Sequence, residues 1–164
     1  MVDVEKLTKD TIGDGGVLAL LYFDIHAKDK EAVQQLGAGF VKHILENPGV
    51  AFALGEIDEP MEGVDGQNAS SSIEVKLLTK DFTTLANICM ENSPFTVEIL
   101  RPDTIELPLS QAHNLLSNIS ATTAEYKRTI ITKVASPQEI AEFQKQMKAR
   151  AEMGKKILEK KEGD

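Results

Sequence analysis

The side chains best suited to acid–base or metal chemistry are a few histidines, a run of carboxylates and one thiol. His26 follows Asp24 by two residues, which places both on one face if the segment is a strand. Glu56 and Asp58 have the same spacing on a second candidate strand. If the two strands come close, Asp24, His26, Glu56 and Asp58 converge. An imidazole among carboxylates could hold a divalent cation, and Asp24 beside His26 could orient a general base. Asp24 and His26 are therefore the candidate catalytic residues, and all four are candidate metal ligands. Their spacing matches no named motif, and polar strand ends commonly look the same.

The other reactive groups point to bland roles. His43 and His113 lie in helical stretches without an ionisable partner at fixed spacing, and both read as surface or boundary residues. Glu56, Asp58, Glu59, Glu62 and Asp65 form an acidic run. Asp65-Gly66 lacks the ligand order of a calcium loop, so a solvated hairpin loop is the expected reading. Cys89 sits in a helical apolar stripe and reads as an inert core thiol. Gly13 to Gly16 precede a strand and lack the Lys-Ser/Thr of a phosphate loop, which leaves a turn. No nucleophile elbow or paired-histidine zinc motif appears. The residues name no cofactor.

The elements that must position these groups centre on residues 72–109. Ile73, Val75 and Leu77 alternate with polar residues, the period of a half-buried strand. Thr79 or Asp81 can cap a helix whose apolar stripe is Phe82, Leu85, Ala86, Ile88 and Cys89. Phe95, Val97 and Ile99 resume the alternation, and Pro102 ends it.

Upstream, Val17 to Ala27 is a strand with Val17, Ala19, Leu21, Phe23 and Ile25 on one face. Leu18, Leu20, Tyr22, Asp24 and His26 lie on the other. Asp29 caps a helix with the stripe Ala32, Val33, Leu36, Phe40, Ile44 and Leu45, which Asn47-Pro48-Gly49 terminates. Val50 to Asp58 is a further strand, and residues 63–71 read as a polar loop.

The expected fold is thus α+β, a ferredoxin-like split βαβ: a four-stranded antiparallel sheet with two helices on one face. Residues 1–16 form an N-terminal helix and turn, 17–107 the ferredoxin-like domain, and 108–164 a C-terminal helical extension. In that extension Leu109, Ala112, Leu116, Ile119, Thr123, Tyr126 and Ile130 alternate spacings of three and four, a heptad-like seam. Ser136-Pro137-Gln138-Glu139 is a capping box that opens the last helix.

Composition narrows the partners. The chain carries a net charge of -8, but residues 1–126 hold 8 Lys+Arg and 20 Asp+Glu (net -12), while residues 127–164 hold 10 and 6 (net +4). The basic tail reads as a solvated helical face, or as a surface that docks on an acidic one. Nucleic acid is disfavoured, because the body is acidic and there are no Trp and two Tyr for stacking. No apolar run nears the roughly 20 residues of a membrane span, and the opening MVDVEKLTKD is charged, so no membrane role and a cytoplasmic protein are expected. A single cysteine agrees with a reducing compartment.

The segment Gly55-Glu56-Ile57-Asp58-Glu59-Pro60, with Val97-Glu98-Ile99-Leu100-Arg101-Pro102 and Ile105-Glu106-Leu107, resembles a family of uncharacterised small archaeal proteins with a ferredoxin-like body. Residues 72–126 are also similar to the C-terminal domain of WYL-type transcription regulators. Neither resemblance implies an activity.

Two functions follow as expectations. One is a non-enzymatic ligand-binding or protein-interaction module that self-associates, most simply as a homodimer, because both sheet faces carry apolar residues and two helices cover one. The other is a metal-dependent enzyme built on Asp24, His26, Glu56 and Asp58.

Overall fold

The computed structural model describes residues 3–63 and 68–162, with side chains up to residue 159. Asp65 of the acidic run lies outside the described residues. The chain divides into two compact units, Met1–Asn118 and Ile119–Asp164.

In the first unit, α1 (Val4–Gly13) leads into β1 (Val17–Ala27), α2 (Lys30–Leu45), β2 (Val50–Ile57), β3 (Met61–Glu62), β4 (Ala69–Thr79), α3 (Phe82–Asn92) and β5 (Thr96–Arg101). The strands form one antiparallel sheet in the order β2-β4-β1-β5, with β3 also paired to β4. The sheet therefore has five strands where the sequence pattern predicts four. The additional strand continues the β2 edge past Glu59-Pro60, where proline has no N–H to give to the ladder. β4 correspondingly begins at Ala69, inside the expected loop. Its serines break the apolar alternation, yet Ser70 to Ser72 pair in register with His26 to Asp24 of β1.

The helix caps follow from single side chains. Asp29 accepts a hydrogen bond from the Ala32 amide at 2.7 Å, and Asp81 from the Thr84 amide at 2.7 Å. Each meets one of the donors that the first turn of a helix leaves unpaired. The core is the face of the sheet bearing Val17, Ala19, Leu21 and Phe23 with Ile73, Val75 and Leu77, against Val33 and Ile44 of α2 and Leu85 and Ile88 of α3. Phe23 meets Phe40 edge-on, with ring centroids 4.6 Å apart, which ties α2 to the central strand.

Gly37, and not the expected Leu36, faces the sheet. A Cβ on Gly37 would lie 2.5 Å from Ile57 Cδ1. Close approach of helix to strand needs the missing side chain, and it rotates Leu36 and Leu45 outward into solvent.

α4 (Leu109–Val134) contributes residues 109–118 to the first unit and 119–134 to the second. The second unit continues with α5 (Pro137–Glu162). The capping box at its start is closed in both directions: the Ser136 amide donates to Glu139 Oε2 at 2.8 Å, and the Glu139 amide donates to Ser136 Oγ at 3.4 Å. No described side chain of this unit is buried.

Candidate functional site

The face of the sheet opposite the core carries every candidate residue, and the strand register arranges it in rows. Directly opposed residues on antiparallel neighbours share a face. At one end Phe52, Leu78 and Leu18 lie side by side on β2, β4 and β1. Next come Leu54, Lys76, Leu20 and Glu98, and then Glu56, Glu74, Tyr22 and Thr96. At the far end are Ser72 opposite Asp24, then Ser70 opposite His26. The face is apolar at one end and ionisable at the other.

Asp24 and His26 do come together. His26 Nε2 lies 2.9 Å from Asp24 Oδ2, and each side chain is 68% exposed. The hydrogen bond to His26 holds the Asp24 carboxyl below its ordinary range.

Glu56 and Asp58 do not join them. They belong to β2 or its end, and β4 stands between β2 and β1, so two strand spacings, about 10 Å, separate the pairs. A split crossover inserts a strand between the two that the sequence makes consecutive. Asp58 is instead held by β4: its amide donates to Ser72 O at 3.0 Å, Ser72 Oγ donates to its carboxylate, and Ser71 Oγ donates to its carbonyl at 2.7 Å. Among the described residues no three His, Cys, Asp or Glu side chains are placed to hold a metal ion.

The middle row has its own electrostatics. Tyr22 is hydrogen-bonded to Glu74, which raises the phenol above its ordinary range, as the carboxylate charge opposes ionisation. Glu56 lies opposite Glu74 on the other side.

His43 and His113 are exposed, as expected. Cys89 is half-buried and packs against the core cluster, and burial pushes its thiol up.

Two features went unread in the sequence. The first is the placement of α1, a helix the sequence does predict: it packs on the apolar end of the open face and helps to bury Leu18 and Leu78. A groove of about 610 Å³ remains between α1 and the sheet, with Leu18, Phe52 and Leu100 in its lining. Its signal was dispersed: Lys9, Lys76 and Arg101 come from three elements.

The second is the absence of charge around the seam of α4. From Leu107 to Ala124 no Asp, Glu, Lys or Arg occurs, in a chain that is 27% charged. That stretch includes the seam residues Leu109, Leu116 and Ile119, which are 73%, 65% and 43% exposed.

A family model matches residues 18–152, most of the chain, and it is that of the MJ0538 family. The chain belongs to that family. The match runs from β1 into α5, so it covers the sheet, the open face, α4 and the part of α5 up to residue 152. No curated protein and no solved structure matches the chain. No helix among the described residues is long and apolar enough to cross a membrane.

Proposed function

We propose that this member of the MJ0538 family is a non-enzymatic, cytoplasmic interaction module that works as a homodimer, paired through the exposed seam of α4. The observation that carries the reading is the charge-free, apolar face of that helix. Interface cores are depleted in charge, and an exposed helix on a monomer has no use for such depletion. Spacings of three and four from Leu109 to Ile130 favour another helix as the occupant. The same seam on a second copy is self-complementary under a two-fold axis.

The seam runs about 32 Å at 1.5 Å per residue. A strip of that length and about one helix diameter in width covers about 350 Å² a side, about 700 Å² in all, which is below the roughly 1,200 Å² where stable interfaces begin and in the range of weak, transient ones, so the dimer should form in a concentration-dependent way. The strand order β2-β4-β1-β5, with helices crossing after β1 and β4, supports a ferredoxin-like split βαβ body carrying this arm. The likeness to WYL-type regulators adds no residue to this reading.

The test uses the single cysteine. In a Cys89→Ser chain, Ile119→Cys sits at the middle of the seam and meets its own copy in either helix orientation. Leu109→Cys meets its copy in a parallel pair alone. Oxidised glutathione should give a disulfide-linked dimer for Ile119→Cys, and light scattering should show the full chain dimerising as concentration rises. Leu116→Lys with Ile119→Lys should abolish it. A full chain that stays monomeric at all concentrations refutes the reading.

A further inference from the structure

The groove between α1 and the open face of the sheet is a second place where the structure gathers groups of one kind. Residues 1–118 contain 8 Lys+Arg against 19 Asp+Glu. Three of those cations, Lys9, Lys76 and Arg101, line this one groove, with Glu5 as its single carboxylate. Among the described residues the ion pairs are Asp24–His26, Lys28–Asp29, Lys30–Glu62 and Glu125–Arg128, and none uses the three cations of the groove. In an acidic body, unpaired cations converging on a concave surface make a local field of the opposite sign.

The sheet is distorted where the groove needs it. In a regular strand Leu100 and Arg101 would point to opposite faces. A register shift between Leu18 and Ala19 sets Arg101 opposite Leu18, and both Leu100 and Arg101 line the groove. A second shift, between Val50 and Phe52 on β2, sits at the same end. Such bulges re-aim side chains at strand ends. The first of them brings a guanidinium to an apolar floor of Leu18, Phe52 and Leu100.

α1 is held over this floor by its connection to β1. At Gly16 an added Cβ would lie 2.5 Å from the Thr79 carbonyl oxygen and 2.6 Å from Thr11 Cγ2, so the chain passes where no side chain fits. The volume of about 610 Å³ is in the range of small-molecule sites.

We infer that this groove binds a small organic phosphate monoester, its apolar body on Leu18, Phe52 and Leu100 and its phosphate among Lys9, Lys76 and Arg101. Three cations and one carboxylate leave two positive charges, which match a phosphate monoester carrying about -1.5 to -2. Arg101 can take two phosphate oxygens at once, while the lysines act as point charges. The site goes beyond self-association through α4 and does not depend on it.

The experiment titrates the full chain with phenyl phosphate at low salt, by calorimetry and by amide shifts. Inorganic phosphate, benzoate and benzyl alcohol are the comparisons. Phenyl phosphate should bind best, with shifts at Leu18, Phe52, Lys76 and Arg101, and should weaken as salt rises. Lys76→Ala and Arg101→Ala should each weaken it about tenfold or more, since a charge-assisted hydrogen bond is lost.

Lys80→Ala, which removes an exposed lysine bonded to the Pro48 carbonyl outside the groove, should leave it unchanged. Absence of binding, or binding untouched by Lys76→Ala and Arg101→Ala, overturns the site. Benzoate binding as tightly as phenyl phosphate overturns the dianion, and inorganic phosphate doing so overturns the apolar floor. The oligomeric state, read separately, tests the dimer and is unaffected by any of these outcomes.

Discussion

Ile88→Ala tests the packing of α3 on the sheet, with Cys89 beside it as the reporter. Ile88 is 2% exposed and belongs to the core cluster, whereas Cys89 is half-buried at the edge of that cluster. Truncating a fully buried isoleucine to alanine removes apolar burial and leaves a cavity, together about 2 to 5 kcal/mol. Each 1.4 kcal/mol is a factor of ten in an equilibrium constant. The open population from which the thiol reacts should therefore rise roughly 30-fold to several thousand-fold, if opening is fast relative to labelling.

The assay is the rate of thiol modification in the folded protein, set beside a denaturant melt of the same variant. Wild-type labelling should be slow in buffer and fast in denaturant. Val33→Ala, which empties the site under α2 instead, separates the routes. If α3 opens alone, Val33→Ala leaves Cys89 labelling almost unchanged; if the body opens as a whole, both variants accelerate it. A fall in the Ile88→Ala melting midpoint with no change in labelling rate would refute the reasoning, because the thiol would then be reacting from the native surface.

Two pH-dependent predictions follow from the lowered carboxyls. In a carbon-detected titration Asp24 should ionise below the ordinary range, and His26→Ala should return it towards that range. Because the folded-state value is depressed, the stabilisation from this pair is present above the unfolded aspartate value and is lost as pH falls through the folded one; an unchanged Asp24 titration in His26→Ala would contradict the pairing. Glu139 is likewise lowered, by hydrogen bonds from the Ser136 hydroxyl and amide. Ser136→Ala should raise it and speed amide exchange in the first turn of α5, most visibly above the glutamate range, whereas equal exchange in both chains would mean that the box does not hold the helix end.

Most of the fold was legible because its signals are local. The alternation in β1 and in Ile73 to Leu77, the aspartates before α2 and α3, and the capping box before α5 each act within a few residues of the structure they specify. The two-residue β3 and the early start of β4 were not legible, because Met61-Glu62 is too short to alternate, Ser70-Ser71-Ser72 carries no apolar alternation, and their pairing is decided by the strand opposite. Leu36 misled for a similar reason. Hydrophobic periodicity favours leucine over its neighbour glycine, but the helix approaches the sheet so closely that a side chain at residue 37 would collide with Ile57.

The candidate site was half legible, and the missing half is topological. Spacing of two along β1 was enough to bring His26 to Asp24. The distance from Asp24 to Asp58 depended on which strand lies between, and a split crossover places β4 there. The same topology generates the groove. The Phe52–Leu78–Leu18 row exists because β2, β4 and β1 lie in that order, and α1 covers it because Gly16 lets the chain turn tightly against Thr79. The sequence marks α1 as a short, mostly polar helix and says nothing of where it lies. Its placement turns an open apolar row, which would otherwise need a partner, into the floor of a groove with charged walls. The demand for a second copy therefore falls less on the sheet than on α4, whose charge-free face no element among the described residues buries.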